Sequence, residues 1–163
     1  SGSVPWYDGA ALVRRGDVVV VTLNHRLGAL GFTHLGEEYG EAYTSSGNAG
    51  MLDIVQALEW VRDNIAAFGG DPDNVTIFGE SGGGAKVTTL LAMPAAQGLF
   101  HRAVIQSGPA LVSRTPEEAA VVTRDLLRKL RVRSGDLAGL QAASREDLQP
   151  AQEAAIKAAA RTM

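Results

Sequence analysis

The chain reads as an α/β domain built on a mostly parallel sheet with helices on both faces, and three observations point there. Runs of β-branched and aromatic residues recur at 17–24, 75–78 and 103–106, stretches of helical periodicity separate them, and a glycine-crowded corner joins the second run to a helix. Sequential parallel strands joined by helical crossovers wind right-handedly and gather the loops at their carboxyl ends along one edge. Chemistry is expected at that edge, where Asn24, Ser81 and Ser107 follow the three runs.

Taken in order, Asp17 to Asn24, "DVVVVTLN", is an almost uninterrupted β-branched run, the pattern of a central strand covered on both faces. From His25 to Ala49 periodicity is lost and glycines recur, a length at which loops are usually functional or mobile, so the rim of an active site is expected there. Met51, Ile54, Val55, Leu58, Val61, Ile65 and Phe68 then follow with helical spacing, and Gly69-Gly70 ends the helix. Asp71-Pro72-Asp73-Asn74 is a turn, Val75 to Phe78 a strand, and Ala85 to Met93 a helix stopped by Pro94. Ala103 to Gln106, in "RAVIQSG", is the third strand, which completes a βαβαβ core over 1–110. The remainder, 111–163, reads as helical. Thr115-Pro116-Glu117-Glu118 supplies an N-cap, a first-turn proline and a capping-box glutamate ahead of a helix of about four turns. Leu137, Leu140, Leu148 and the alanines at 158–160 continue the helical character, with Pro150 expected to break or kink it.

A length of 163 residues suits one domain, and 45% hydrophobic with 20% charged residues suffices for a core. A net charge of −3 and a pI near 5.6 argue against nucleic acid as a partner, and no run is long and apolar enough for a membrane span. The absence of cysteine excludes a disulfide framework and thiolate metal or redox sites, and fits a reducing, cytoplasmic compartment. No cofactor and no metal are expected.

The corner Gly79-Glu80-Ser81-Gly82-Gly83 has three competing explanations. Phosphate binding fails on spacing: Ala85 intervenes before Lys86, so a P-loop lysine comes one position late, and Val87 stands where a dinucleotide fingerprint needs its third small residue. Chance is the second explanation, because 19 glycines in 163 residues make the bare Gly-x-Ser-x-Gly pattern a weak signal. The third is a nucleophile elbow, matched by Gly79, Ser81 and Gly83 and supported by the strand before and the helix after. In such an elbow small flanks let the turn tighten, the serine hydroxyl stands clear of the sheet, and the N–H of Gly82 faces the place where a tetrahedral oxyanion forms.

"YDGAALVRRGDVVVVTLNHRLGALGF", "GNAGMLDIVQALEWVRDNIAAFGGDPDNVTIFGESGGG" and "GLFHRAVIQSG" resemble the type-B carboxylesterases, the cholinesterase-like branch of the α/β-hydrolases, closely over Tyr7 to Gly108 and more loosely in the helical tail. The resemblance implies a serine hydrolase that cleaves carboxylic esters, here small hydrophobic ones, through an acyl-enzyme on Ser81. It places Gly82 at an oxyanion-hole N–H usually contributed by alanine, and Glu80 and Ser107 in supporting roles beside the nucleophile. His25, Ile54 and Lys86 depart from the family's usual residues without removing its chemistry. The resemblance also implies that the His-Gly-Gly oxyanion segment lies before Ser1 and the triad acid and histidine beyond Met163. On that expectation the chain is a partial α/β-hydrolase domain, inactive alone, and its partners are the remaining segments of the parent. The histidines within it have other readings: His25 as a polar rim residue, His34 at the surface or rim, His101 as structural at the amino end of a strand. Trp6 and Trp60 read as core or rim aromatics. The competing class is a catalytically silent binding or adhesion module with the same fold.

Overall fold

The computed structural model describes Gly2 and residues 4–160. In chain order it forms α1 (Ala10–Gly16), α2 (Gly28–Phe32), α3 (Gly36–Tyr39) and α4 (Ala49–Asn64), then β1 (Thr76–Glu80), α5 (Gly82–Ala92) and β2 (Arg102–Gln106). Three more helices follow, α6 (Pro116–Leu130), α7 (Leu137–Gln141) and α8 (Arg145–Ala159). By its packing the chain divides into two compact units: residues up to His25 with Met51–Val112, and Arg26–Gly50 with the residues from Ser113 on.

In the first unit α4 does what its periodicity predicts. Met51, Ile54, Val55 and Leu58 are buried and pack with Leu90 of α5 and with Ala96 and Leu99, while Val75 and Ile77 close the same cluster from the sheet. A short 3₁₀ turn, Ile65–Phe68, carries the helix to Gly69, whose φ of 82° and N–H bonds to the Ala66 and Ile65 carbonyls terminate it. α5 ends where Met93 turns extended ahead of Pro94, because the proline ring disfavours helical geometry at the preceding residue.

β1 and β2 pair in parallel, from Thr76 opposite Arg102 to Glu80 opposite Gln106. Residues 17–24, expected as a strand, join no ladder among the described residues. Strand pairing needs a neighbour with free N–H and C=O groups, and composition alone does not supply one. Among the described residues nothing covers the run on two faces: Val18, Val19 and Val21 are 47, 43 and 43% exposed. The sheet is one-sided in the same way. Ile77 joins the core cluster, whereas its neighbour Phe78 is exposed on the alternate face of β1, as is Val104 on β2.

The second unit is organised by α6 and α8. Thr115 accepts from the Glu118 N–H while the Glu118 carboxylate accepts from the Thr115 N–H, which is the expected capping box. Leu126 of α6 meets Ala151 and Ala155 of α8, with Ala29, Val122, Leu130 and Leu148 around them. Alanines at 151, 155 and 159 recur every four residues and are buried, so α8 meets its neighbours with small side chains. Pro150 lies inside α8 and does not end it; the helix starts at the Ser144 cap, six residues before the proline removes one backbone donor. Residues 26–50 are tied to these helices by side chains. Thr123 is fully buried and donates its hydroxyl to the His34 carbonyl at 2.7 Å, Gln152 accepts from the Ala29 N–H, and Arg124 pairs with Glu37 and Glu38.

Candidate active site

Ser81 sits between the last residue of β1 and the first of α5, with φ 52° and ψ −112°. A non-glycine residue in this region carries roughly 1–3 kcal/mol of strain and persists only where its surroundings over-determine it. They do. The Ser81 N–H donates to the Gln106 carbonyl at 2.8 Å, which continues the ladder to β2, and the Ser81 carbonyl accepts from Ala85 at 3.0 Å, which starts α5. One residue thus completes a strand and opens a helix, and its backbone is left no other path.

The glycines show why the corner excludes side chains. A Cβ at Gly79 would stand 2.4 Å from the Gly83 carbonyl carbon, and one at Gly84 would stand 2.2 Å from the Ser107 carbonyl oxygen. Gly83 is different: a Cβ there meets nothing within 4 Å among the described residues. The pattern's second glycine is required for the space its backbone takes beside Gly79, and the residue pressed against β2 is Gly84, which the motif does not name.

Because the strands are parallel and in register, Ser81 and Ser107 follow them at the same edge. Ser107 has φ 62° and Gly108 φ 59°, so both turns are left-handed there. Gly82, the first residue of α5, is exposed and has an N–H that intrahelical bonding cannot satisfy. Glu80 is exposed at the end of β1, opposite Gln106. The structure therefore brings Ser81, Gly82 and the Ser107 turn together and leaves Glu80 on the strand end beside them. Lys86, a departure in sequence terms only, proves to reach back into the corner, its Nζ donating to the Gly82 carbonyl at 3.1 Å.

The histidines divide as follows. His101 accepts from the Val75 N–H through Nδ1 at 3.1 Å and donates its own backbone N–H to the Val75 carbonyl at 2.8 Å, a clasp at the amino ends of the strands, opposite the edge that carries Ser81. His34 belongs to the second unit, where its carbonyl accepts from Thr123. His25 is half-buried and closes the first stretch of the first unit. Trp6 is 92% exposed and Trp60 stacks at a tilt on Phe68 with ring centroids 5.7 Å apart. Among the described residues no group of three or more His, Asp or Glu side chains stands ready for a metal ion, and no helix is long and apolar enough to cross a membrane.

A parallel sheet whose strand-to-helix corner holds a strained serine between close-packed glycines is the architecture of the α/β-hydrolases. Residues 1–162 match the family model described as "Carboxylesterase family", and the chain belongs to that family. It is 53% identical to the para-nitrobenzyl esterase of Bacillus subtilis (strain 168) over 148 residues, 91% of this chain and 29% of that protein. Liver carboxylesterase 1 of Oryctolagus cuniculus is 48% identical over 134 residues, 82% of this chain and 22% of that one. Among solved structures, the Geobacillus stearothermophilus carboxylesterase EST55 superposes with a TM-score of 0.90 at 54% identity, over 94% of this chain and 34% of that one. The chain thus spans less than a third of the length of the two curated relatives.

Proposed function

We propose that the protein carrying these residues hydrolyses carboxylic esters through an acyl-enzyme on Ser81. The observation that carries this reading is the backbone of Ser81, a strained residue at φ 52° whose neighbours leave it exposed at the head of a helix. Strain held in place around a hydroxyl at a strand-to-helix corner is the arrangement that covalent catalysis by a nucleophile elbow uses. In the proposed reaction a base takes the Ser81 Oγ proton as Oγ attacks the ester carbonyl. The tetrahedral oxyanion is held by the Gly82 N–H, collapse expels the alcohol with a proton, and water then releases the acid. Ser107 and Glu80 support the turn. The base and its orienting acid are assigned to segments outside these residues, and so is a further part of the oxyanion hole. On this reading residues 1–163 alone turn over no ester, because loss of triad members removes several orders of magnitude in rate.

The substrate class follows the relatives' names, one a para-nitrobenzyl esterase and one, at 43% identity from Homo sapiens, a cocaine esterase. Esters with a small hydrophobic acyl or alcohol group are the proposed substrates, and the remaining segments of the parent chain are its partners.

The test is fluorophosphonate labelling of the full-length protein with peptide mapping, alongside turnover of a series of p-nitrophenyl esters. Labelling confined to Ser81 and loss of turnover in Ser81→Ala are expected. Label elsewhere, or undiminished turnover by Ser81→Ala, overturns the mechanism, and a full-length protein that neither labels nor turns over any ester is the silent binding module instead. A strict preference for peptides or phosphoesters refutes the substrate class.

A further inference from the structure

The first turn of α5 is Gly82-Gly83-Gly84, three residues of maximal backbone freedom and poor helix propensity. On the ester-hydrolase reading, on which this inference rests, the same turn must hold the Gly82 N–H within about 0.5 Å of its productive place. Gly84 is fixed by its contact with the Ser107 carbonyl, but Gly82 and Gly83 are not wedged: among the described residues a Cβ on Gly83 meets nothing within 4 Å, and one on Gly82 meets only Lys86 Nζ, at 3.8 Å.

Lys86 lies one turn along α5, and helical side chains lean toward the N-terminus of their helix. Its half-buried side chain does so and donates to the Gly82 carbonyl at 3.1 Å. The placement is electrostatically adverse, because an ammonium there faces the positive end of the helix dipole. No acidic residue in the first turn offsets it. Residues set against a local rule concentrate where function constrains them.

We propose that Lys86 is a positioning residue of the oxyanion hole. By holding the Gly82 carbonyl it fixes the rotation of the first helical peptides, and with them the direction of the Gly82 N–H. A side chain at 82 restricts the same rotation by steric means. Gly82 does not have a positive φ, and a Cβ there stands in ordinary contact, so Gly82→Ala fits the observed backbone. Lys86 therefore substitutes by a hydrogen bond for the stiffness that a Cβ at 82 provides.

The experiment is a double-mutant cycle in the full-length protein, reading kcat and KM separately for a p-nitrophenyl ester, with melting temperature as the check on folding. In the native background Lys86→Met is expected to lower kcat roughly tenfold with KM within about twofold, less than the hundred- to thousandfold typical of losing an oxyanion donor outright. Lys86→Arg, which keeps a donor of similar reach, restores most of kcat. In the Gly82→Ala background, whatever its own rate, Lys86→Met costs less than about threefold, because the turn is already stiff. Equal losses in the two backgrounds point to plain charge stabilisation and overturn the proposal, as does an unchanged kcat in Lys86→Met. Should Lys86→Met fold poorly, Lys86→Gln in both backgrounds gives the same comparison. Turnover that persists in Ser81→Ala refutes the ester-hydrolase reading itself, and the role of Lys86 with it.

Discussion

Gly108 rests against the backbone of Ser81: a Cβ on Gly108 would stand 2.5 Å from the Ser81 carbonyl oxygen and 3.0 Å from its Cα. Both residues have positive φ, and Ser81 is also bonded to Gln106, two positions before Gly108. The turns that follow the two parallel strands thus brace each other, and the strain at Ser81 is balanced by a neighbour that allows no retreat.

Substitutions in the corner should separate by the space they meet rather than by membership of the motif. Gly108→Ala and Gly84→Ala are expected to destabilise by about 2 kcal/mol or more, since each drives a methyl group into a backbone oxygen and Gly108 also loses its left-handed freedom. Gly83→Ala meets open space and, gaining helix propensity, is expected to be neutral or stabilising by about 0.5–1 kcal/mol. Urea midpoints of the three variants check this, and a Gly83→Ala as costly as Gly84→Ala contradicts it.

Thr123 buries its hydroxyl completely while donating to the His34 and Ala119 carbonyls at 2.7 and 3.2 Å. Thr123→Val keeps the volume and strands the His34 carbonyl, at an expected cost of about 1–3 kcal/mol. Thr123→Ser keeps the donor and loses one methyl group, at about 1 kcal/mol. Chemical denaturation gives the order, and a serine variant less stable than the valine one would show that methyl packing, not the hydrogen bond, matters at this position.

Much of this was legible in sequence where the signal is local. The Thr115 capping box, the Gly69 stop, the Pro94 stop and the strand-to-helix corner at Ser81 each depend on residues within a few positions of one another, and each stands where expected. What escaped depends on partners distant in the chain. Residues 17–24 have the composition of a strand, but a ladder belongs to two segments and the valines cannot specify the second. Alanines 151, 155 and 159 look uninformative until Leu126 is seen against the first two. In the site, Ser81 and Gly82 follow from the motif, whereas the demands on Gly84 and Gly108 come from β2 and from Ser81, which sequence spacing does not bring together.

The alanine face of α8 predicts a sharp contrast. Ala155 is 0% exposed and packs against Leu126, so Ala155→Leu is expected to cost about 1–3 kcal/mol through overpacking, whereas exposed Ala160 should accept leucine with little effect. Thermal melts of the two variants decide it, and a neutral Ala155→Leu would mean that α6 and α8 separate easily.

At high pH Tyr39 is the group to watch. Burial first, then the Asp136 and Glu38 charges, raise its pKa above the ordinary phenol value of 10.0, and its hydroxyl donates toward the Asp136 carbonyl. The folded state thus holds this proton more tightly than the unfolded chain does. The resulting stabilisation is complete below pH 10 and is lost as pH rises through the folded pKa. Tyr39→Phe should remove that part of the alkaline decline in urea midpoint, and an identical decline in the variant would assign it to other groups.

The two compact units exchange chain at three points, after His25, after Gly50 and after Val112, so the second unit is assembled from two stretches separated by more than sixty residues of the first. This has a consequence for recombination. A crossover with a relative placed between Val112 and Ser113 looks clean on a linear map, yet it inherits α6 and α8 from one parent and their counterparts at Ala29, His34, Glu37 and Glu38 from the other. The heritable block is the discontinuous pair, 26–50 with 113 onward, and chimeras that move both pieces together should retain stability that single-crossover chimeras lose.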